Sequence, residues 1–298
     1  MAEEQHPPQP AAAGNQPEAD LLPGVKHIIA VSSGKGGVGK TTVTVNMAVA
    51  LKQEGYAVGV MDADIYGPNI PMMIGVTKEP VKEGDKITPA EAQGVKVISM
   101  GFFVPEDTPV VWRGPMVHSA IQQFFRDVVW GELDYLLIDL PPGTGDVPLT
   151  LSQLVPLTGA ITVTTPQEVA LMDVRKGMMM FKKVNVPLLG IVENMSYFVC
   201  GHCGERSEIF SFGGGEQAAK KFEIPFLGRI PLDQAIREGG DKGSPIVVSN
   251  PESPQTQAFF NIVRTFVSQL KEAGGKEATA PPLSSLLKKI KEPLQKSV

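Results

Sequence analysis

The sequence predicts an α/β fold in which a single doubly wound, mostly parallel sheet carries helices on both of its faces. Two observations predict this class: short, continuous apolar runs alternate with longer segments of helical periodicity, and the connections between them are short. Continuous apolar runs are typical of strands that are covered on both faces. Regular alternation of strands and helices is typical of one parallel sheet rather than of two domains.

The predicted elements follow one another along the chain in this alternating order. The apolar runs predicted to be strands are His27–Ser32, Ala57–Met61, Val95–Met100, Tyr135–Leu140, Ala160–Thr164, Leu188–Glu193 and Phe226–Arg229. The segments predicted to be helices are Lys40–Glu54, Met116–Val129, Val169–Lys183, Gly215–Phe222 and Gln255–Glu272. We therefore expect one domain over residues 24–273, with a tail on either side.

Both tails have compositions that bury too little apolar surface to offset the entropy of ordering. Residues 1–23 are rich in proline and are predicted to be disordered. Residues 274–298 are predicted to be flexible, with a short basic amphipathic segment in which leucines alternate with lysines. Such a segment can lie on a membrane surface, but Pro293 interrupts it, so we favour docking on the domain or on a partner.

Composition excludes several classes of protein. The 298-residue chain has 27 Lys and Arg against 32 Asp and Glu, and a net charge of −5 disfavours a general nucleic-acid binder. No apolar run approaches the ~18 residues that span a membrane, so no stable membrane insertion is expected. The N-terminus lacks the apolar core of a secretory signal, and two cysteines cannot form a disulfide scaffold. We expect a cytoplasmic protein.

A glycine-rich segment follows the first predicted strand and precedes the first predicted helix. It matches G-x-x-x-x-G-K-[ST], and its residues are Gly34, Lys35, Gly36, Gly37, Val38, Gly39, Lys40 and Thr41, with Thr42 next in the helix. Glycines let backbone N–H groups face one anion, and the helix N-terminus adds the positive end of its dipole. The pattern predicts ATP binding in a fold of the P-loop NTPase type, with Lys40 at the β- and γ-phosphates and the Thr41 hydroxyl at Mg²⁺.

Lys35 directly follows the first glycine of this motif, which is unusual. The segment resembles the deviant Walker A signature, K-G-G-x-G-K-[ST], of the MinD/ParA group, which includes the nitrogenase iron protein and the Mrp/ApbC-type iron–sulfur cluster carriers. The resemblance implies that Lys35 acts with Lys40 in catalysis, because the signature lysine of that group neutralises phosphate charge and ties hydrolysis to the ATP-bound dimer. The alternative is a solvated loop lysine.

Acidic residues end two of the predicted strands. Asp139 ends a hydrophobic run, which is the position of a Walker B aspartate near Mg²⁺. Asp62 and Asp64 end another strand, where a buried carboxylate needs a cation or a water as its partner. In similar ATPases a switch I carboxylate orients or deprotonates the attacking water; we expect Asp64 to take that role and Asp62 to support the magnesium shell. The alternative is that both aspartates cap a helix.

Further segments resemble the Mrp/ApbC carriers over roughly residues 24–270. Residues 62–69 and 140–146 look like the two switch regions of that family, and residues 166–173 and 192–196 match it as well. By similarity, Asn194 would hydrogen-bond the adenine of ATP. The alternative for Asn194 is a turn or helix-capping asparagine.

Both cysteines lie in the segment Cys200-Gly201-His202-Cys203. A C-x-x-C turn directs two thiolates at one metal or forms a redox disulfide, and inert buried cysteines are a third possibility. Two thiolates leave a zinc or iron–sulfur site incomplete, whereas a symmetric homodimer supplies four. The family resemblance agrees, because there the cysteines of two subunits bridge a labile 4Fe–4S cluster. Structural zinc stays open, and we expect His202 to be an exposed turn residue rather than a ligand.

Together these features predict an ATP-binding and ATP-hydrolysing carrier that holds a labile iron–sulfur cluster at a C-x-x-C shared by a homodimer. Its expected partners are recipient apo iron–sulfur proteins. The alternative is a MinD/ParA-like positioning ATPase that acts through membrane or partner binding, for which the basic tail would be the effector.

Overall fold

The computed structural model describes residues 21–103, 114–143 and 145–274. The strands are β1 Val25–Ser33, β2 Val58–Asp62, β3 Val81–Glu83, β4 Lys86–Thr88, β5 Ala90–Ala92, β6 Val95–Ser99, β7 Leu133–Asp139, β8 Gly159–Thr164, β9 Leu188–Glu193, β10 Phe198–Val199, β11 Arg206–Ser207 and β12 Phe226–Arg229. The helices are α1 Lys40–Gln53, α2 Ile70–Ile74, α3 Gly114–Asp127, α4 Asp146–Leu154, α5 Glu168–Lys183, α6 Gly214–Phe222, α7 Gln234–Asp241, α8 Ile246–Ser249 and α9 Pro254–Gly274.

The central sheet has eight strands in the order β12-β9-β8-β1-β7-β2-β6-β5. All neighbours in it pair in parallel except β5, which pairs antiparallel with β6. The pairs β3–β4 and β10–β11 form separate two-stranded sheets. The predicted class, a doubly wound and mostly parallel sheet, is confirmed.

Helices cover both faces of this sheet. In β1, Ile29 and Val31 pack into one cluster with side chains of α1 and α9, whereas Ile28 and Ala30 pack into a second cluster with α3 residues such as Phe125. Successive side chains of a strand point to opposite faces, so a continuously apolar strand needs a cover on each side. This explains why the central strands read as unbroken hydrophobic runs.

Every strand and helix predicted from the sequence is present, with ends that differ by a few residues. The elements that were not predicted are α2, α4, α7, α8 and the short strands β3, β4, β5, β10 and β11. Helices α2 and α8 have only 5 and 4 residues, which is too short for a helical period to show. Helix α4 carries a proline in its first turn, where proline is tolerated although it resembles a breaker.

The predicted tails lie mostly outside the described residues, including the basic amphipathic segment. Leu22, assigned above to the end of the N-terminal tail, is buried at 5% exposure, and its carbonyl accepts a hydrogen bond from the Val25 N–H. The folded chain therefore begins before residue 24. At the other end, Gly274 is the last residue of α9. No helix within the described ranges is both long and apolar enough to cross a membrane.

Parallel strands place their carboxyl ends at one edge of the sheet, and the chemistry-bearing residues lie there. β1 runs into the glycine-rich loop, and β7 ends at Asp139 between β1 and β2. The register pairs Asp139 with Val31 on one side and with Asp62 on the other. Acidic residues about 77 positions apart in sequence thus become neighbours.

Candidate functional site

The glycine-rich loop, residues 34–39, joins β1 to α1 and has one packed side and one open side. Gly37 and Gly39 have φ values of 80° and 78°, a left-handed conformation that favours glycine. A Cβ on Gly39 would collide with the side-chain amide of Asn194, and one on Gly34 would collide with the α5 backbone. A Cβ on Gly37 would meet nothing within 4 Å, so the loop leaves space above its backbone for an anion.

Lys40 and Thr41 begin α1 and meet the carboxylate that ends β7. Lys40 Nζ lies 2.5 Å from Asp139 Oδ2, and the Thr41 hydroxyl donates to the same oxygen over 2.7 Å. The hydroxyl of Thr44 donates to Asp139 Oδ1 over 2.6 Å. Both Lys40 and Asp139 are buried, and each finds its opposite charge in the other.

Thr44 was not predicted as a site residue from the sequence. It lies one helical turn after Lys40, and residues i and i+4 share a helix face. The signal that could have found it is a hydroxyl four residues after the lysine of the phosphate loop, on the helix face that carries Lys40; in the structure this hydroxyl is fully buried. Its contact fixes the second oxygen of the Asp139 carboxylate.

Asp64 lies beside Lys40, and Asp62 lies beside Asp139 on the neighbouring strand. Asp64 Oδ2 lies 3.6 Å from Lys40 Nζ, and burial, opposed by Lys40, raises the pKa of Asp64. Asp62 is fully buried and accepts hydrogen bonds from the Ser99 hydroxyl and from the backbone N–H groups of Asp64 and Ile70. Burial and the charge of Asp139 raise the pKa of Asp62 to about 7. Lys40 thus pairs with Asp139 and Asp64, whereas Asp62 feels the repulsion of Asp139.

These residues fit a magnesium ion by the chemistry of their donors. Mg²⁺ prefers hard oxygen ligands, usually one or two carboxylates together with waters and phosphate oxygens. The hydroxyl of Thr41 and the carboxylate of Asp139 already touch one another. The negative charge of Asp62, Asp64 and Asp139 exceeds the single positive charge of Lys40, so a divalent cation would relieve the repulsion among the buried acids.

Lys35 and Asn194 also lie at the loop. Lys35 Nζ donates to Gln167 Oε1 over 3.3 Å, next to the start of α5. The amide of Asn194 donates to the carbonyl of Val38 over 2.9 Å, and Asn194 is buried. Asn194 therefore supports the loop directly from the end of β9. The structure brings together the predicted residues of the loop, the two aspartates at the end of β2 (the switch aspartates) and Asn194.

A cavity of about 360 Å³ opens beside the loop and is lined by Thr42 and Asn194. The rest of its lining was not predicted from the sequence and consists of Asn69, Met72, Met73, Met195, Pro231, Leu232, Asp233, Ile236, Arg237, Gly240 and Asp241. Most of these residues lie in α2, in α7 and in the turn after β12, and neither of these two helices was predicted. Asp233 also caps α7 by accepting the N–H of Ala235. The apolar walls and polar rim have the character of a small-molecule pocket.

The two cysteines lie on a separate feature, the β10–β11 hairpin. Within its turn, the Cys200 N–H donates to the Glu205 carbonyl over 2.9 Å, and the Gly204 N–H donates to the Cys200 carbonyl over 2.8 Å. Cys200 is half-buried and Cys203 is exposed. The backbone N–H groups of Cys203 and His202 donate to the Cys200 sulfur and lower the pKa of that thiol, which favours the thiolate that binds metals.

The hairpin does not complete a metal site within one chain. No group of three or more His, Cys, Asp or Glu side chains placed to hold a metal ion occurs among the described residues. His202 is exposed beside the cysteines, as expected for a turn residue. One chain therefore offers two thiols, and a four-ligand site needs ligands from elsewhere.

Comparison with known proteins identifies the family. The model of the ParA family described as NUBPL iron-transfer P-loop NTPase matches residues 24–267. The chain belongs to this family. The match spans the glycine-rich loop, the switch aspartates and the cysteine hairpin, so the resemblance inferred from the motifs is confirmed.

Curated relatives in the NUBPL-type family are similar along most of the chain. An iron–sulfur cluster carrier protein of Synechocystis is 51% identical over 263 residues, covering 86% of this chain and 74% of the relative. An iron–sulfur cluster transfer protein, NUBPL, of Dictyostelium discoideum is 51% identical over 253 residues, covering 84% of this chain and 78% of the relative.

Solved structures agree with the fold. An ADP-bound nucleotide-binding protein from Archaeoglobus fulgidus has a TM-score of 0.69 at 40% identity, covering 80% of this chain and 94% of that one. The cell division ATPase MinD of Pyrococcus furiosus has a TM-score of 0.62 at 29% identity, covering 81% and 98%. This NUBPL-type chain thus shares its fold with nucleotide-binding ATPases of the MinD/ParA group.

Proposed function

We propose that this chain is an ATP-hydrolysing carrier that holds a labile 4Fe–4S cluster at Cys200 and Cys203 of two subunits and transfers it to apo iron–sulfur proteins in the cytoplasm. The observation that carries the proposal is the exposed two-thiol hairpin on a P-loop NTPase fold. The names of the relatives, which are iron–sulfur cluster carriers or transfer proteins, support it. Exposure suits a site whose cargo must leave, because an exchanging ligand needs access.

Nucleotide binding is assigned to the loop and to the cavity beside it. The backbone of Gly34, Gly36, Gly37, Val38 and Gly39 would face the phosphates together with Lys35 and Lys40. Thr41 and Asp139 would hold Mg²⁺, which supplies charge neutralisation at the phosphate oxygens. Thr42 and Asn194 line the cavity, which would take the base.

Asp64 is the residue proposed to orient the attacking water. It is held 3.6 Å from Lys40, and the Tyr66 N–H donates to it over 3.3 Å, so its position is defined. Its raised pKa brings it closer to the range in which a carboxylate exchanges protons near neutral pH. The oxygens of Asp62 already accept three hydrogen bonds, so it would support the magnesium shell and fix the backbone of residues 64–70 rather than activate the water.

The homodimer is proposed from the number of ligands. A cubane cluster takes about four protein ligands, and the described part of each chain offers a pair of thiols without a third ligand beside them. A twofold axis near the hairpins doubles what one chain supplies. Nucleotide binding would then act on cargo by changing the geometry between the subunits.

Anaerobic reconstitution with iron and sulfide tests the proposal. We expect about two iron atoms per chain, one four-iron cluster per dimer, with the absorbance of an iron–sulfur protein. Cys200→Ser and Cys203→Ser should each lose the cluster while still binding ATP, because a serine hydroxyl is a poor ligand for iron. His202→Ala is the matched control. It changes the same turn but keeps the backbone N–H that donates to Cys200, so it should retain the cluster.

Two results would contradict parts of this proposal. A stable cluster in either serine variant, or a monomeric holoprotein, would exclude a site shared by two subunits. If the protein instead bound about half a zinc ion per chain and took up no iron, the site shared by two subunits would stand and the carrier function would be wrong.

A second function, a positioning ATPase, is favoured by the structural similarity to MinD. Its effector would be the basic amphipathic segment near the C-terminus, which lies outside the described residues. Sedimentation with anionic lipid vesicles, with and without MgATP, separates the two functions. Nucleotide-dependent binding to vesicles together with no iron uptake would favour the positioning ATPase.

A further inference from the structure

The cysteine hairpin is too short to hold its own conformation. β10 and β11 pair only two residues each, and such isolated hairpins are marginal in water. The turn from Gly201 to Glu205 is exposed throughout. Contacts with the body of the protein must therefore set the position of the two thiols.

Arg206, the first residue of β11, makes the most prominent of these contacts. Its guanidinium carbon lies 4.2 Å from the ring centroid of Tyr197, just before β10, and 4.3 Å from the ring centroid of Phe212, in the segment between β11 and α6. A planar guanidinium stacks on aromatic faces in a way that an ammonium does not. Glu208, 3.8 Å from the guanidinium, balances its charge. Arg206 thus ties both sides of the hairpin base together.

The base of the hairpin is also joined to the cavity beside the phosphate loop. The Leu232 N–H donates to the Tyr197 carbonyl over 2.7 Å, and Phe198 forms a bridge with Leu232. Leu232 lines the cavity together with Asn194. A ligand that displaces Leu232 therefore acts directly on the segment that leads to Cys200.

A second connection runs through buried charge. Arg229 lies 4.7 Å from the same Phe212 ring and 3.6 Å from the carboxylate of Glu193. Glu193 is fully buried, accepts the Ser196 hydroxyl over 2.6 Å, and directly precedes Asn194. Charged groups that share a buried network move together, because separating them exposes an unpaired charge. Both connections end at the rings that hold Arg206.

We infer that Arg206 is a positioning residue that couples occupancy of the cavity beside Asn194 to the placement of Cys200 and Cys203. The inference rests on the proposed function insofar as a nucleotide occupies that cavity. Displacement of Leu232 or Asn194 by the ligand shifts Tyr197 and Phe212, and Arg206 passes this shift to β11. Without the stacked guanidinium, the hairpin would sample its positions independently of the cavity.

The test measures thiol reactivity in the full-length, reduced, cluster-free protein. The rate of reaction of the cysteines with dithiobis(nitrobenzoate) is compared with and without the non-hydrolysable ATP analogue AMPPNP and Mg²⁺. We expect the nucleotide to change the wild-type rate by at least about threefold, the scale of one cation–π contact. In Arg206→Lys and Arg206→Ala this ratio should fall to one, while the affinity for AMPPNP stays unchanged. The lysine variant keeps the charge and tests the stacking.

Arg264→Lys is the matched control. Arg264 of α9 lies 5.5 Å from the Phe260 ring and pairs with Glu54 at the end of α1, in a different part of the fold. It should keep the wild-type ratio. A wild-type ratio of one, or an Arg206 variant that keeps the wild-type ratio, would overturn the inference. An Arg206 variant that keeps the wild-type ratio would mean that the nucleotide changes thiol reactivity without Arg206, for example because dimerisation shields the cysteines.

Iron loading separates this inference from the carrier function. If the thiols respond to nucleotide through Arg206 but the protein takes up no iron, the coupling stands and the proposed iron–sulfur carrier function is wrong. If iron is loaded while the Arg206 variants keep the wild-type ratio, the carrier function stands and the coupling is wrong.

Discussion

The phosphate loop and the cysteine hairpin differ in how deeply their functional groups are buried and in how many partners those groups have. At the loop, Lys40 and Asp139 are both buried, and the carboxylate accepts hydrogen bonds from two threonine hydroxyls as well. At the hairpin, Cys203 is exposed, and a complete metal site is missing from the described part of the chain. Burial fixes the groups that must be pre-organised for chemistry. Exposure keeps accessible the groups that we propose to release a cargo.

The largest expected effect comes from removing the cation of the buried site. Lys40→Ala should lower ATP hydrolysis by about 10³-fold, because it removes the positive charge aimed at the phosphates. It also leaves Asp139 buried without its opposite charge. Phosphate release at saturating ATP measures the first effect, and urea unfolding measures the second.

Lys52→Ala is the control for this substitution, since Lys52 lies exposed near the end of the same helix. It should hydrolyse ATP at the wild-type rate. Thiol reactivity in nucleotide-free Lys40→Ala should also match the wild type, because the hairpin is held by other contacts. Unchanged hydrolysis in Lys40→Ala would remove the assignment of the loop as the catalytic centre.

A smaller effect is expected at the residue proposed to orient water. Asp64→Asn should lower the hydrolysis rate by about 100-fold, the range for loss of a general base. The affinity for ATP should change little, because the backbone of the loop and Lys40 remain. Calorimetric binding of the ATP analogue together with steady-state turnover separates the two quantities. An equal loss of affinity would place Asp64 in binding instead.

The smallest effect concerns stability and pH. Burial raises the pKa of Asp62 from 3.8 to about 7, with the charge of Asp139 adding to it. Between those two values the folded state holds a proton that the unfolded state has lost, so the free energy of unfolding falls as the pH rises. Asp62→Asn removes the titrating carboxyl group and with it this decrease in the free energy of unfolding. The free energy of unfolding of the variant relative to the wild type should therefore increase by ~1 kcal/mol or more from about pH 5 to pH 8.

Asp134→Asn is the contrasting control, measured in the same chelator-containing, nucleotide-free buffer. The hydrogen bond from Lys26 lowers the pKa of Asp134, so its stabilising contribution is present above the unfolded pKa and is lost as the pH falls through the folded one. Over the range from about pH 5 to pH 8 the titration of Asp134 itself adds no slope, but its charge acts on the pKa of the neighbouring His27, so both variants are compared in a His27→Gln background, where the effect of Asp134→Asn should be constant. A parallel pH response of the two variants would show that the fold does not hold a proton on Asp62.

The sequence by itself determined the sheet, the loop and the residue types of both sites. Continuous apolar runs required helices on both faces, and the glycine-rich segment required a turn between a strand and a helix, because both signals are local in the chain. The spacing of Cys200 and Cys203 likewise indicated a two-thiol turn, which the hairpin provides.

Only the tertiary structure decided how distant residues meet. The register of β2 and β7 places Asp62 beside Asp139, and α7 and α2 supply walls of the cavity although neither short helix was predicted from the sequence. The stacking of Arg206 on Phe212 and the bond from Leu232 to Tyr197 join segments with no shared local pattern. Such contacts depend on how the whole sheet packs, since burial and pairing are properties of the folded chain rather than of any one segment.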